Sequence, residues 1–198
     1  MLYEQIDTAV IDGESLPWVP LTPYSEEILL KYFKLDPIRG EWIVLMKVPL
    51  GVQLPKHHHT GTVMVYTIEG KWKYEEHDWV AGPGSLVYET AASTHTFEVV
   101  TEGESGFVLT LVQVNGDLLF LDDKDNIVAL ENWKTSLNRY VAYCEQHGLV
   151  VELRERQHDE SVAFFDRRRT SAVSAAASSA DSMMFGARSR FRATACSS

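Results

Sequence analysis

The stretch "LPKHHHTGTVMVYTIEG", residues 54–70, sets three consecutive histidines directly before a run that alternates like a β-strand. Along a strand the side chains alternate faces, so His57 and His59 point one way and His58 the other. Two imidazoles one pleat apart on one face can reach a single metal ion. His58, turned away, is expected to be an ordinary histidine of the surface or the packing. A purification tag is a poor account of the triplet, because it is short, internal and continuous with the β-run that follows.

A further histidine, His95, lies in "GSLVYETAASTHTFEVV", on a second β-rich segment. Glu89 precedes it by six residues, on the strand leading to it, and is a candidate base for a substrate hydroxyl proton. Trp42, Tyr66 and Tyr74 are candidate aromatic walls of a substrate pocket. The "EEHD" run at Glu75–Asp78 reads as a solvated turn. His147 and His158 lack ligand spacing.

Residues that must converge need elements to carry them. From Glu41 to about residue 121, "EWIVLMKVPLG", "GTVMVYTIEG", "KWKYEEHDWV", "GSLVYET", "HTFEVV", "SGFVLTLVQV" and "DLLFLDD" are seven short β-rich runs separated by turn residues. That pattern predicts an all-β fold, an antiparallel barrel or sandwich. Before it, residues 1–40 form a proline-rich arm with Pro17, Pro20, Pro23 and Pro37, in which "SEEILLKYF" reads as one or two helical turns capped by Ser25. After it, the apolar period changes. Leu130, Trp133, Leu137, Tyr140, Val141 and Cys144 are spaced by three and four, and Gly148 follows as a stop, which predicts an amphipathic helix over about 126–147. "LVVELRER" is a candidate extra strand.

The chain carries a net charge of −10, which argues against nucleic acid and anionic membrane surfaces as partners. From Arg167 onward six arginines face one acidic residue, so the acidity belongs to residues 1–166. Residues 167–198 are Ala/Ser-rich without a sustained period and read as a disordered or artefactual basic tail. One domain over 1–166 is expected. No signal-peptide pattern opens the chain, and the two cysteines are far apart, so a cytoplasmic setting is the expectation. The apolar arm and the helix are the devices expected to build a homodimer or homotetramer.

Two spacings tie these readings together. Gly51 is followed after five residues by His57, x, His59; Gly84 is followed after five residues by Thr90, x, Ala92, two residues and His95. Over residues 41–121 the chain resembles a single-domain cupin, whose paired motifs are G-x5-H-x-H-x3–4-E-x6-G and G-x5-P-x-G-x2-H-x3-N. The resemblance implies a jelly-roll-like antiparallel barrel and metal ligands at His57, His59 and His95. It also exposes departures. The motif glutamate falls at Val63 or Met64, Thr90 replaces the proline, Ala92 the glycine and Val99 the asparagine. Three histidines without a protein carboxylate resemble the non-haem iron dioxygenases of the cupin family, which cleave acetylacetone or 2,4′-dihydroxyacetophenone. That resemblance implies Fe(II) with open positions for a chelating ketone and O2, and cleavage of a C–C bond, with 2,4′-dihydroxyacetophenone giving 4-hydroxybenzoate and formate. The alternatives are a metal-holding sensor module of the anti-sigma type, and a Zn or Mn cupin isomerase or hydrolase.

Overall fold

In the computed structural model, Leu2, Tyr3 and residues 10–151 are described. The tail at 167–198 and the strand expected within "LVVELRER" beyond Val151 lie outside the described residues.

Among the described residues, twelve strands and one α-helix follow in chain order, besides a 3-10 turn at Gly13–Ser15: β1 (Leu2–Tyr3), β2 (Val19–Pro20), β3 (Leu29–Asp36), β4 (Glu41–Val48), β5 (Leu54–His59), β6 (Val63–Glu69), β7 (Lys71–Tyr74), β8 (Leu86–Glu89), β9 (Thr94–Thr101), β10 (Val108–Asn115), β11 (Leu118–Leu121), β12 (Ile127–Glu131) and α1 (Trp133–His147). Sheet A runs β1-β3-β4-β10-β6-β8, with β2 also on β3; sheet B runs β12-β11-β5-β9-β7. Pairing is antiparallel except for β1 on β3. Alternation in the sequence drives this arrangement. In β4, "EWIVLMKV", Trp42, Val44, Met46 and Val48 are buried while the residues between them are not. Val63 and Val65 of β6, Val112 and Val114 of β10, Phe97 of β9 and Phe120 of β11 come from both sheets into the same core. Each such side chain contributes about 1.5–3 kcal/mol by leaving water.

Close approach fixes the turn between β5 and β6. A Cβ on Gly61 would stand 1.9 Å from the Asn115 carbonyl oxygen, so only glycine lets the chain cross there.

Two expectations are corrected. "SEEILLKYF" is not helical: Leu29 opens β3, which pairs along β4, and Ser25 Oγ accepts from the Glu27 and Ile28 amides in a turn. The helix begins at Trp133 rather than near 126, because β-branched Ile127 and Val128 belong to β12, paired with β11. Asn132 then caps α1 reciprocally with Thr135, and Gly148, at φ 65°, ends it. Its buried stripe, Leu137, Tyr140 and Cys144, joins the core of its own barrel.

Candidate metal centre

His57 and His59 project inward from β5, and His95 from the neighbouring β9, where it stands directly across from His57. The pleat that brings them in sends His58 out, to bond Thr94 Oγ1 at 2.8 Å. One nitrogen from each of the three inward rings lies within 4.8 Å of the others. His59 Nε2 and His95 Nε2 face each other at 3.0 Å. The turn between β8 and β9 is tied to the same strand: Ala92 N donates to His59 O, and His59 N to Ser93 O.

Glu89, at the end of β8, joins them. Its Oε2 lies 2.9 Å from His59 Nε2 and 3.3 Å from His95 Nε2, yet forms a hydrogen bond with neither. Its Oε1 accepts the Tyr74 hydroxyl at 2.5 Å. Tyr74 in turn stacks on the His95 ring, 3.6 Å between centroids. Two donors bound cis to one ion at about 2.1 Å are about 3 Å apart. The separations among His59, His95 and Glu89 are therefore those of a shared ligand sphere, and a buried carboxylate oxygen without a hydrogen bond is what such a sphere would use.

Protonation agrees with this use. Burial pushes His57 down to about 3, with His59 and His95 adding to the effect, so the ring is neutral near pH 7. His57 Nδ1 lies 2.8 Å from the Pro55 carbonyl; the tautomer that donates there leaves Nε2 as a free lone pair. Burial opposes ionisation of Glu89, but His59, His95 and the Tyr74 hydroxyl outweigh it and hold the carboxyl far below its ordinary range. Burial, and then the charge of Glu89, raise Tyr74 well above the usual phenol value, so it stays a donor.

His57, His59, Tyr74 and Glu89 help to line a cavity of about 50 Å³ walled also by Val63, Val65, Val112, Leu54 and Phe120. At roughly 10–15 Å³ per water, that space takes three to five water-sized groups.

The profile of the ChrR cupin-like domain matches residues 7–114. The chain belongs to that cupin family. Among solved structures, this cupin is similar to an RmlC-like cupin protein from Ralstonia eutropha JMP134, at 54% identity over 74% of this chain and 93% of that one, with a TM-score of 0.71. A protein of unknown function with a cupin-like fold from the same organism matches at 22% identity, over 78% and 97%, with a TM-score of 0.67. An acetylacetone dioxygenase from Acinetobacter johnsonii matches at 18% identity, over 70% and 93%, with a TM-score of 0.59; at that identity the likeness is one of fold. No protein of curated function matches.

The structure gathers His57, His59, His95, Glu89 and Tyr74 into one cluster, and places Trp42 on the cavity wall. Tyr66 is corrected: it sits on the outward face of β6, 44% exposed, because Val63 and Val65 take the inward positions. The three histidines expected as ligands do come together, and Glu89, expected as a base, lies beside them. Val63 does stand where the motif glutamate would, but Glu89 is its partner across the β6–β8 ladder. The carboxylate arrives from the adjacent strand, a placement visible only once the register of β6 and β8 is known.

Proposed function

We propose that this cupin is an iron(II)-dependent dioxygenase that cleaves a C–C bond of a small chelating ketone. The observation that carries the reading is the gathering of three imidazoles, with the Glu89 carboxylate beside them, at a buried cavity whose wall is otherwise aliphatic and aromatic but for the Arg139-paired Glu131. Iron(II) held by His57, His59 and His95 would supply one-electron chemistry towards O2 and would leave room for a ligand with two neighbouring oxygens.

The chain's own groups do the rest. The aliphatic wall excludes bulk water and admits apolar O2. Glu89, ionised and fixed by Tyr74, is within reach of a proton on a ligand seated against the histidines and can take it at Oε2. Removing that proton turns a hydroxyketone or diketone into its electron-rich anion. Tyr74 holds Oε1 throughout, so Oε2 alone faces the cavity. Both oxygen atoms of O2 end in the two carbonyl products, and the balance needs no outside reductant. The tight cavity favours a compact aliphatic diketone such as acetylacetone over the larger 2,4′-dihydroxyacetophenone, and the fold likeness to an acetylacetone dioxygenase supports that order.

A second reading has its own support. The match to the ChrR cupin-like profile and the fourth donor at Glu89 suit a module that holds zinc in a closed four-ligand site without turnover. Metal analysis of protein purified without added metal, followed by oxygen uptake after anaerobic iron(II) loading, separates the two. The dioxygenase reading expects ketone-dependent oxygen consumption with acetylacetone ahead of 2,4′-dihydroxyacetophenone. Stoichiometric zinc with no uptake of oxygen on either ketone overturns it in favour of the holding module.

A further inference from the structure

The outward face of sheet A breaks the rule that the solvent side of an antiparallel sheet is polar. One row across four strands reads Leu86, Tyr66, Leu111, Leu45, and the next begins Tyr88, Met64. Charges on this face of β4, β10, β6 and β8 lie at strand ends, Glu41 and Lys47 on β4 and Glu69 on β6, opposite Leu109. Sheet B shows the ordinary pattern over β7 and β9, where Lys71, Lys73, Thr96 and Glu98 face outward and Lys73 pairs with Glu98 at 3.0 Å.

We propose that this face of sheet A is the interface at which two copies of the chain associate. The arm and the helix, which the sequence offered for that purpose, are already used within one chain: β2 pairs with β3, and α1 buries its stripe on its own barrel. Among the described residues the outward face of sheet A stays uncovered, a broader apolar surface than the exposed Ile127, Val128 and Leu130 of β12. Leu86, Tyr88, Tyr66, Ile68 and Leu111 are 60, 61, 44, 41 and 36% exposed. At roughly 200 Å² per large side chain they leave on the order of 500 Å² of apolar surface in water. That lies in the upper part of the roughly 300–600 Å² of the largest apolar patch on a typical monomer, a size that is often functional, and with its rim approaches the ~800 Å² per partner of a stable complex. A two-fold axis through the patch sets rows of Leu and Tyr against their own copies and buries no unpaired charge. An uncharged patch on a chain of net charge −10 also fits a second copy better than a basic partner, which would be drawn to the acidic surface elsewhere.

The test is the mass of the full chain by light scattering at micromolar concentration. The wild type is expected at twice the chain mass, and more fully so at high salt, which screens the repulsion between two acidic copies. The double variant Tyr66→Glu/Leu111→Glu should fall to the single-chain mass with unchanged far-UV circular dichroism. Ile127→Glu/Leu130→Glu, on the exposed surface of β12, should remain double. Because two buried-interface charges can also perturb folding, a conservative probe accompanies them: p-benzoylphenylalanine in place of Tyr88 should photocrosslink chain to chain. A wild type of single-chain mass overturns the proposal. So does a dimer lost through the β12 substitutions instead, or a crosslink from position 88 into residues 152–198 of the same chain.

Discussion

Two buried glutamates line the same cavity, and their surroundings are opposite. Glu131, 1% exposed at the end of β12, has every lone pair that matters engaged: Arg139 donates to both oxygens at 2.6 and 2.5 Å, and Ser136 Oγ to Oε1 at 2.6 Å. Arg139 in turn donates to the Thr22 carbonyl and the Tyr32 hydroxyl, so the network ties α1 to the arm and to β3. Glu89, 4% exposed, has one oxygen engaged by Tyr74 and the other bare before two imidazoles. A buried carboxylate with a complete set of donors is structural. One left incomplete has an oxygen to spare for a cation or a proton. Burial alone would not have separated the two; the count of donors does.

The difference predicts that the two residues fail in different ways, and the larger failure belongs to Glu131. Glu131→Ala leaves the Arg139 guanidinium without its carboxylate partner, and breaking a buried pair from one side costs about 3–5 kcal/mol. Urea denaturation should show that loss, while the folded fraction still binds metal with undiminished stoichiometry. A variant that kept its stability, or folded normally without metal, would erase the contrast.

The histidine end should also dominate the acid response of the metal-free protein. The folded His57 titrates near 3 and the unfolded residue near 6.5. Between those values the unfolded chain binds a proton that the folded chain refuses, so stability falls as pH drops below about 6.5, at about 1.4 kcal/mol per pH unit for that residue. Glu89 contributes with the same sign only below its unfolded value of 4.5, where the unfolded carboxyl takes up a proton and the folded one does not. The interval from pH 6.5 to 4.5 therefore isolates the histidine. His57→Gln should flatten the slope of denaturation midpoint against pH there, and an unchanged slope would show that His57 is not held neutral by its surroundings.

A smaller effect sharpens the role of Glu89 itself. Glu89→Val should weaken metal binding by roughly 10–100-fold, the range seen when groups around a metal are removed. Because Val63 is its partner across the ladder, Val63→Glu in the same chain should recover most of the loss by returning the carboxylate to the adjacent strand. Competition with a chromophoric chelator measures both. Metal affinity indifferent to Glu89, with no recovery in the exchanged variant, would make Glu89 a hydrogen-bonding neighbour only.

These residues also show what a sequence can and cannot disclose. The β-runs from Glu41 to Leu121 and the inward pair His57/His59 were legible because period-two alternation is a local property that survives folding unchanged. His95 was legible through motif spacing. The boundary between β12 and α1 was not, since Leu130 fits a helical stripe as well as an exposed strand position, and only pairing with β11 decides it. Tyr66 was misplaced for a related reason: alternation says which residues share a face, and not which face is the inner one. The nearness of Glu89 to the histidines needed more still, the register of β6 and β8, and no local pattern carries register.

The smallest predicted effect lies in the turn that connects Glu89 to His95. Ala92 occupies the position where the cupin motif has glycine, and its φ of 65° is left-handed. An L-residue with a Cβ pays about 1–2 kcal/mol there, while glycine adds roughly 0.4–1 kcal/mol of unfolded-state entropy to be lost on folding. The net expectation for Ala92→Gly is a gain of about 0.5–1 kcal/mol, read as a small rise in melting temperature. Metal affinity should not change, because the turn's bonds to His59 are made by backbone atoms that glycine keeps. A fall in affinity without a loss of stability would mean that the methyl group, rather than the backbone, holds Glu89 and His95 in place.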